Sequence, residues 1–183
     1  RRQNYRATLC AGLDTLWQLL QKDDTSAVET SNWMVINECP DGYAVMHVSG
    51  KPGDLSIGDV IAIRTESGES WQICIIRWAL SENQEHLELG LQILATHAVP
   101  AILAFPESAD TRHLHVLILP EIKTLRPAER VVTPSGALAD YSGNLVLIVE
   151  NGNLEVREIT STGLDEQNSH VEVYSIESGK RSS

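Results

Sequence analysis

Two arginines, Arg2 and Arg6, lie four positions apart at the start of this 183-residue chain. A guanidinium group presents a planar set of donors that can bind phosphate through two hydrogen bonds and can also stack on a base. Further along, residues 37–42 combine Asn, Cys, Pro, Asp and Gly, which favour a tight polar turn. Together the two segments predict an anion-binding site in which the turn holds the edge of a ring. From charge alone, an equally weighted interpretation is that Arg1, Arg2 and Arg6 belong to a positively charged linker.

The chain as a whole is acidic, with 14 Lys and Arg against 25 Asp and Glu and a formal charge of −11. This balance argues against nonspecific nucleic-acid binding. No stretch approaches the roughly 20 apolar residues of a membrane span. The chain begins with Arg rather than Met and shows no charged-then-apolar leader, so we expect no signal peptide and a fragment that a further domain precedes.

Three cysteines stand at wide spacing without a CxxC pair, which argues against a disulfide scaffold or a zinc site and fits a reducing cytoplasm. Cys10 and Cys74 are surrounded by apolar residues and are predicted to be core thiols. His113 and His115 place two imidazoles on one face of a strand, but no third ligand accompanies them, so no metal site is predicted. No nucleophile, phosphate-transfer or metal-protease motif occurs, and we expect neither an enzyme nor a cofactor.

The apolar residues mostly follow the two-residue period of half-buried strands, which predicts a mainly β protein. An exception is residues 12–20, where Leu13, Leu16, Trp17 and Leu20 share a helical face and are predicted to be core. Strands are predicted at residues 33–37, 43–48, 71–80 and 86–94, and within residues 55–63 a turn at Gly58 and Asp59 is predicted to precede a further strand. Short strands at this spacing indicate a small antiparallel barrel over residues 1–98.

Residues 99–183 are predicted to form a second small β-barrel or sandwich. The predicted strands are residues 101–105, 114–120, 130–133, 145–150, 154–159 and 171–176, separated by Gly, Pro and Asn. No ligand motif is found in this half. Its role is open between an output surface for a partner and a structural cap on the first barrel.

The first half resembles the PilZ domains, which bind the bacterial second messenger cyclic di-GMP. The resemblance rests on the RxxxR pair at Arg2 and Arg6, the (D/N)xSxxG-like motif at Asn37, Cys39 and Gly42, the hairpin at residues 76–78 and the Gly-containing strand at residues 88–94. It covers about residues 1–98. It implies a six-stranded antiparallel barrel with the arginine segment wrapping over a ligand held against the barrel.

Carried over to this chain, the resemblance implies that Arg2 and Arg6 bind the phosphates and guanine faces or edges. Asn37, Cys39 and the backbone near Gly42 would frame a guanine, with Gly42 supplying a positive φ in the turn. Arg1 would help only electrostatically, since no motif position matches it. Cys39 replaces the family's serine, and because a thiol is the weaker donor, affinity is expected to be several-fold lower.

These observations predict a cyclic di-GMP receptor that transmits its signal to a protein partner by conformational change. The alternative is a degenerate module of the same fold that does not bind the nucleotide. Such a module would serve as a protein-interaction or assembly domain of a larger regulator.

Overall fold

The computed structural model describes residues 4–22, 24–68, 70–83, 85–109, 112–122 and 128–179. The chain divides into two compact units, Arg1–Ala98 and Val99–Ser183. Each unit contains one closed barrel of six antiparallel strands. The predicted mainly β fold, with a six-stranded barrel followed by a second small β domain, is therefore confirmed, and the second domain is a barrel rather than a sandwich.

The first barrel is built from six strands and one helix. They are β1 (Tyr5–Ala11), α1 (Leu13–Lys22), β2 (Ser31–Cys39), β3 (Gly42–Gly50), β4 (Val60–Thr65), β5 (Gln72–Asn83) and β6 (His86–Ala95), with a short 3-10 helix at Thr25–Ala27 between α1 and β2. The strand order is β1-β2-β3-β6-β5-β4, and pairing of β1 with β4 closes the barrel. The predicted turn at Gly58 and Asp59 that precedes a strand is confirmed, because Gly58 has a φ of 92° and β4 begins at Val60.

Alternating side chains fill the interior of this barrel. Each strand contributes two buried residues to one cluster: Ala7, Leu9, Trp33, Val35, Tyr43, Val45, Ile61, Ile63, Cys74, Ile76, Leu89 and Leu91. The two-residue period arises because successive side chains of a strand point to opposite faces. Residues between these positions point away from this interior; Ala62 and Ile75 are still buried, whereas Ala44 and Gly90 line a surface groove.

Helix α1 packs against β1 and β4, at the end of the barrel where β1 ends. Gly12 makes the turn into it with a φ of 93°, and its N–H donates to the Val60 carbonyl oxygen at 2.9 Å. The predicted helix is confirmed, but its fully buried residues are Leu16 and Leu19. The other three residues of the predicted face, Leu13, Trp17 and Leu20, are only partly buried.

The second barrel has six strands at the six predicted places. They are β7 (Val99–Ala104), β8 (His113–Leu119), β9 (Glu129–Pro134), β10 (Leu145–Asn151), β11 (Asn153–Gln167) and β12 (Val171–Ser178). Their order is β7-β8-β9-β12-β11-β10, which is the strand order of the first barrel. Strand β11 extends well beyond the predicted segment. Within the described residues, no helix is long and apolar enough to cross a membrane.

Candidate functional site

The predicted polar turn is the hairpin between β2 and β3. Cys39 pairs with Gly42, so that Pro40 and Asp41 alone form the turn. A β-bulge at Ile36 shifts the register between the pairs Val35–Val45 and Asn37–Ala44. A bulge turns the following side chains relative to the strand before it. Asn37 is therefore exposed and does not share the buried face of Val35.

Gly42 is required here for a different reason from the one predicted. Its φ is not positive. Instead, a Cβ on Gly42 would lie 1.9 Å from the carbonyl oxygen of Leu91 and 3.3 Å from the Cα of Gln92. Gly42 pairs with Gln92 on β6, and the Asp41 carbonyl accepts the Ile93 N–H at 2.8 Å. The missing side chain thus allows the hairpin to approach the backbone of β6 closely.

A groove of about 440 Å³ crosses the outer face of β2, β3, β6 and β5 beside this hairpin. Its lining includes Asn37, Cys39, Gly42, Arg77, Trp78 and Gln92. Three of the predicted site residues are therefore brought together. The other three lie on β5 and β6 and were not predicted as site residues.

Trp78 and Arg77 give the groove an aromatic and a cationic side. Trp78 pairs with Gly90, and a Cβ on Gly90 would lie 1.9 Å from the indole Nε1, so the indole covers the glycine directly. Trp78 is still 43% exposed and can contact a ligand. Arg77 occupies a bulge, and its Nε donates to Gln92 Oε1 at 2.6 Å. The sequence signal for this side was an Arg-Trp pair at the end of an apolar run.

Arg6 lies on β1 opposite Met34, with an exposed side chain, and is not among the residues that line the groove. Since a strand rises about 3.3 Å per residue, its register lies roughly 10 Å along β2 from that of Asn37. Arg1 and Arg2 lie outside the described residues. The structure therefore places Asn37, Cys39 and Gly42 along one groove. The predicted role of Arg2 and Arg6 in ligand binding stays a prediction.

A hydrogen bond links the start of β1 to the hairpin segment. The Tyr5 hydroxyl donates to Glu38 Oε2 at 2.9 Å, across 33 residues of sequence. Burial, followed by this hydrogen bond, raises the pKa of Tyr5 well above its usual range. Glu38 and Asp41 also line the groove, so that two carboxylates and the guanidinium of Arg77 belong to one lining.

The remaining candidate groups do not assemble into a site. His113 and His115 are both exposed on β8. In the part of the chain that the structure describes, no group of three or more His, Cys, Asp or Glu side chains could hold a metal ion. Cys10 and Cys74 are buried as predicted, and burial raises the pKa of Cys10 to about 11. Cys39 is exposed in the groove.

Comparison with known proteins identifies the first barrel. Residues 14–100 match the family model described as the middle PilZ domain of the cyclic-di-GMP receptor FimW. The first barrel is a PilZ domain. The matched residues include the β2–β3 hairpin and the groove, but the match begins after Arg2 and Arg6.

A curated relative agrees with this family. The cyclic-di-GMP receptor FimW of Pseudomonas aeruginosa is 25% identical over 116 residues, which cover 62% of this chain and 19% of the relative. The PilZ domain and its flanking sequence thus correspond to a small part of that longer protein. No solved structure matches the chain.

Proposed function

We propose that this chain is a non-enzymatic cytoplasmic receptor for cyclic di-GMP and that the groove beside the β2–β3 hairpin is its binding site. The observation that carries the proposal is that Asn37 and Cys39, on the motif hairpin, face the same groove as Trp78 and Arg77. The groove belongs to a PilZ domain that matches one from a protein named as a cyclic-di-GMP receptor. The family match therefore indicates which ligand to expect, and the groove contains side chains that can bind it.

The chemistry of the groove suits a guanine base. Trp78 offers an exposed indole on which a base can stack, and each stacked base contributes about 1–3 kcal/mol. Asn37 can both donate and accept at the base edge. The carboxylates of Glu38 and Asp41 accept hydrogen bonds only, and guanine presents N–H donors on its Watson–Crick edge. Cys39 supplies a weaker donor than the family's serine.

The phosphates of the ligand require cations, and three arginines are candidates. Arg77 lines the groove itself. Arg6 is exposed one strand away, and Arg2 precedes it by four positions in the sequence. Arg1 adds positive charge without a motif role. Ligand binding would favour conformations in which the arginine segment contacts the bound phosphates beside the hairpin. This shift in the conformational population would change how the chain binds a protein partner.

Calorimetric titration with cyclic di-GMP tests the proposal. We expect Arg2→Ala, Arg6→Ala and Trp78→Ala each to weaken binding about tenfold or more, since hydrogen bonds to charged groups contribute about 1.5–3 kcal/mol and stacking about as much. Lys22→Ala is the matched control, because it removes one positive charge at the exposed end of α1. Equal binding by the parent and all three site variants would place the site elsewhere.

A second candidate function is supported by the same groove. The carboxylates of Glu38 and Asp41 would repel a phosphate in the groove, and the thiol of Cys39 stands where the family has a hydroxyl donor. These features fit a degenerate PilZ module that serves as a protein-interaction or assembly domain. A titration in which the parent protein gives no heat with cyclic di-GMP at tens of micromolar would favour this alternative.

A further inference from the structure

Strand β5 continues beyond the neighbour that covers its edge. Strand β4 pairs with β5 only at residues 72–75, whereas β5 runs to Asn83. On the other side, Trp78, Ala79, Leu80 and Ser81 pair in unbroken register with β6. Within the described ranges, residues 78–83 therefore have a strand on one side only. We call these residues the β5 edge.

The β5 edge is apolar as well as unpaired. Trp78 is 43% exposed and Leu80 is 47% exposed, at alternate positions on one face. Ile57, which is 61% exposed, lies beside the start of the edge, because the Gly58 N–H donates to the Ile76 carbonyl oxygen at 2.8 Å. An exposed apolar strand edge is a template for pairing with another chain, and proteins normally blunt it with Lys, Pro or bulges.

The other extended strand of the chain shows such blunting. Strand β11 also continues beyond its neighbour β10, which pairs with it only as far as Ile159. Its pairing with β12 is interrupted by bulges at Thr162 and Asp165. Bulges twist an edge and interrupt its regular pairing. The β5 edge also has a bulge, at Glu82, but its four regular pairs at residues 78–81 have no equivalent in that part of β11.

Charge around the β5 edge indicates what would pair with it. Glu82 and Glu85 are exposed at the end of the β5–β6 hairpin. Between residues 78 and 95 the sequence contains three Glu and neither Lys nor Arg. Opposite charges across strands stabilise pairing, and like charges oppose it. An added strand that carries cations is therefore favoured over an acidic one.

We propose that the β5 edge binds an extended, cationic segment of a partner protein as an additional strand. Main-chain hydrogen bonds to the edge would hold the segment. Its apolar residues would cover Trp78 and Leu80, and its Lys or Arg residues would face Glu82 and Glu85. The proposal goes beyond the nucleotide site and stands whether or not the groove binds cyclic di-GMP.

Amide hydrogen exchange of this chain, without nucleotide, tests the proposal. The probe is a short synthetic peptide in which lysine alternates with valine, and the charge control replaces lysine with glutamate. With the basic peptide at about ten times its Kd, we expect exchange within residues 78–83 to slow by about tenfold. Leu80→Lys and, independently, Glu82→Lys should abolish this protection. Leu154→Lys should not, although Leu154 is 68% exposed on a strand of the second barrel.

Three results of this exchange experiment would contradict the proposal. Absence of protection at residues 78–83, equal protection by the acidic peptide, or full protection in both β5 variants would overturn the proposal. Because no nucleotide is present, none of these outcomes depends on cyclic di-GMP binding. The calorimetric titration of the groove therefore fails or succeeds separately.

Discussion

Replacing Gly42 with alanine tests the structural account of the motif glycine. The added Cβ would lie 1.9 Å from the Leu91 carbonyl oxygen and 3.0 Å from the Leu91 carbonyl carbon. Both are backbone atoms of β6, so no side-chain rotation relieves the clash. Since carbon–oxygen contacts begin at about 3.3 Å, the hairpin and β6 must separate locally by roughly 1.4 Å.

The cost follows from the contacts that this separation breaks. About two ladder hydrogen bonds near Gly42 would be lost, each contributing about 1 kcal/mol net. Overpacking of the surrounding barrel adds about 1–3 kcal/mol. The expected loss in the free energy of unfolding is thus about 3–5 kcal/mol, a large share of the 5–15 kcal/mol typical of a domain. With a urea m value of about 2 kcal/mol/M, the midpoint should fall by about 2 M.

Tryptophan fluorescence in urea measures this change selectively. All four tryptophans, Trp17, Trp33, Trp71 and Trp78, belong to the first barrel, so the signal reports its unfolding alone. Gly68→Ala is the control, because its Cβ would meet a rotatable Thr65 side-chain atom, Oγ1, at 2.9 Å. We expect this control to unfold within about 0.5 kcal/mol of the parent. If Gly42→Ala unfolded at the same urea concentration as the parent, the close-approach argument would be refuted.

Further predictions concern the thiols, the pH dependence of stability and the two binding surfaces. Cys39→Ser should tighten cyclic di-GMP binding about fivefold in calorimetry, since a hydroxyl gains about 1 kcal/mol over a thiol donor; weaker binding would contradict this. In the native protein a thiol reagent should modify Cys39 at once, and Cys10 and Cys74 only after denaturation, because both are buried. Burial and a hydrogen bond to Glu172 raise the pKa of Tyr174 to about 12. The stability that this hydroxyl contributes is therefore complete below about pH 10 and is lost between about pH 10 and 12. Urea unfolding followed by circular dichroism should show that Tyr174→Phe loses less stability over this pH range than the parent. Saturating cyclic di-GMP should change the affinity of the lysine-valine peptide, and the peptide should change nucleotide affinity by the same factor, because one tryptophan belongs to both surfaces.

Much of the fold could be predicted because it depends on local patterning. Alternation such as Trp33 and Val35 predicts a half-buried strand, and the turn residues mark where strands end. The order of the strands around each barrel could not be predicted this way, since it depends on pairing between distant segments such as β3 with β6. The exposure of Asn37 could not be predicted from alternation, because a single bulged residue, Ile36, reverses the alternation without any change in composition.

The candidate site was predictable to the extent that it lies in one hairpin. Asn37, Cys39 and Gly42 are neighbours in sequence, and the structure places them along one groove. Arg77 and Trp78 could not be predicted as site residues, because nothing in the local sequence shows that the bulge at Arg77 brings them beside that hairpin. The ligand contacts of Arg2 and Arg6 stay a prediction, because Arg2 lies outside the described residues and Arg6 does not line the groove.

The two barrels share one strand order but differ in one connection. Both run first-second-third-sixth-fifth-fourth, and both have a long fifth strand that extends past the fourth. The first barrel joins its second and third strands through two residues, whereas the second barrel uses residues 120–128. Because function depends on the residues of a site rather than on the fold, two barrels of one strand order can serve different tasks. A site built on a two-residue hairpin in the first barrel therefore has no counterpart of the same length in the second.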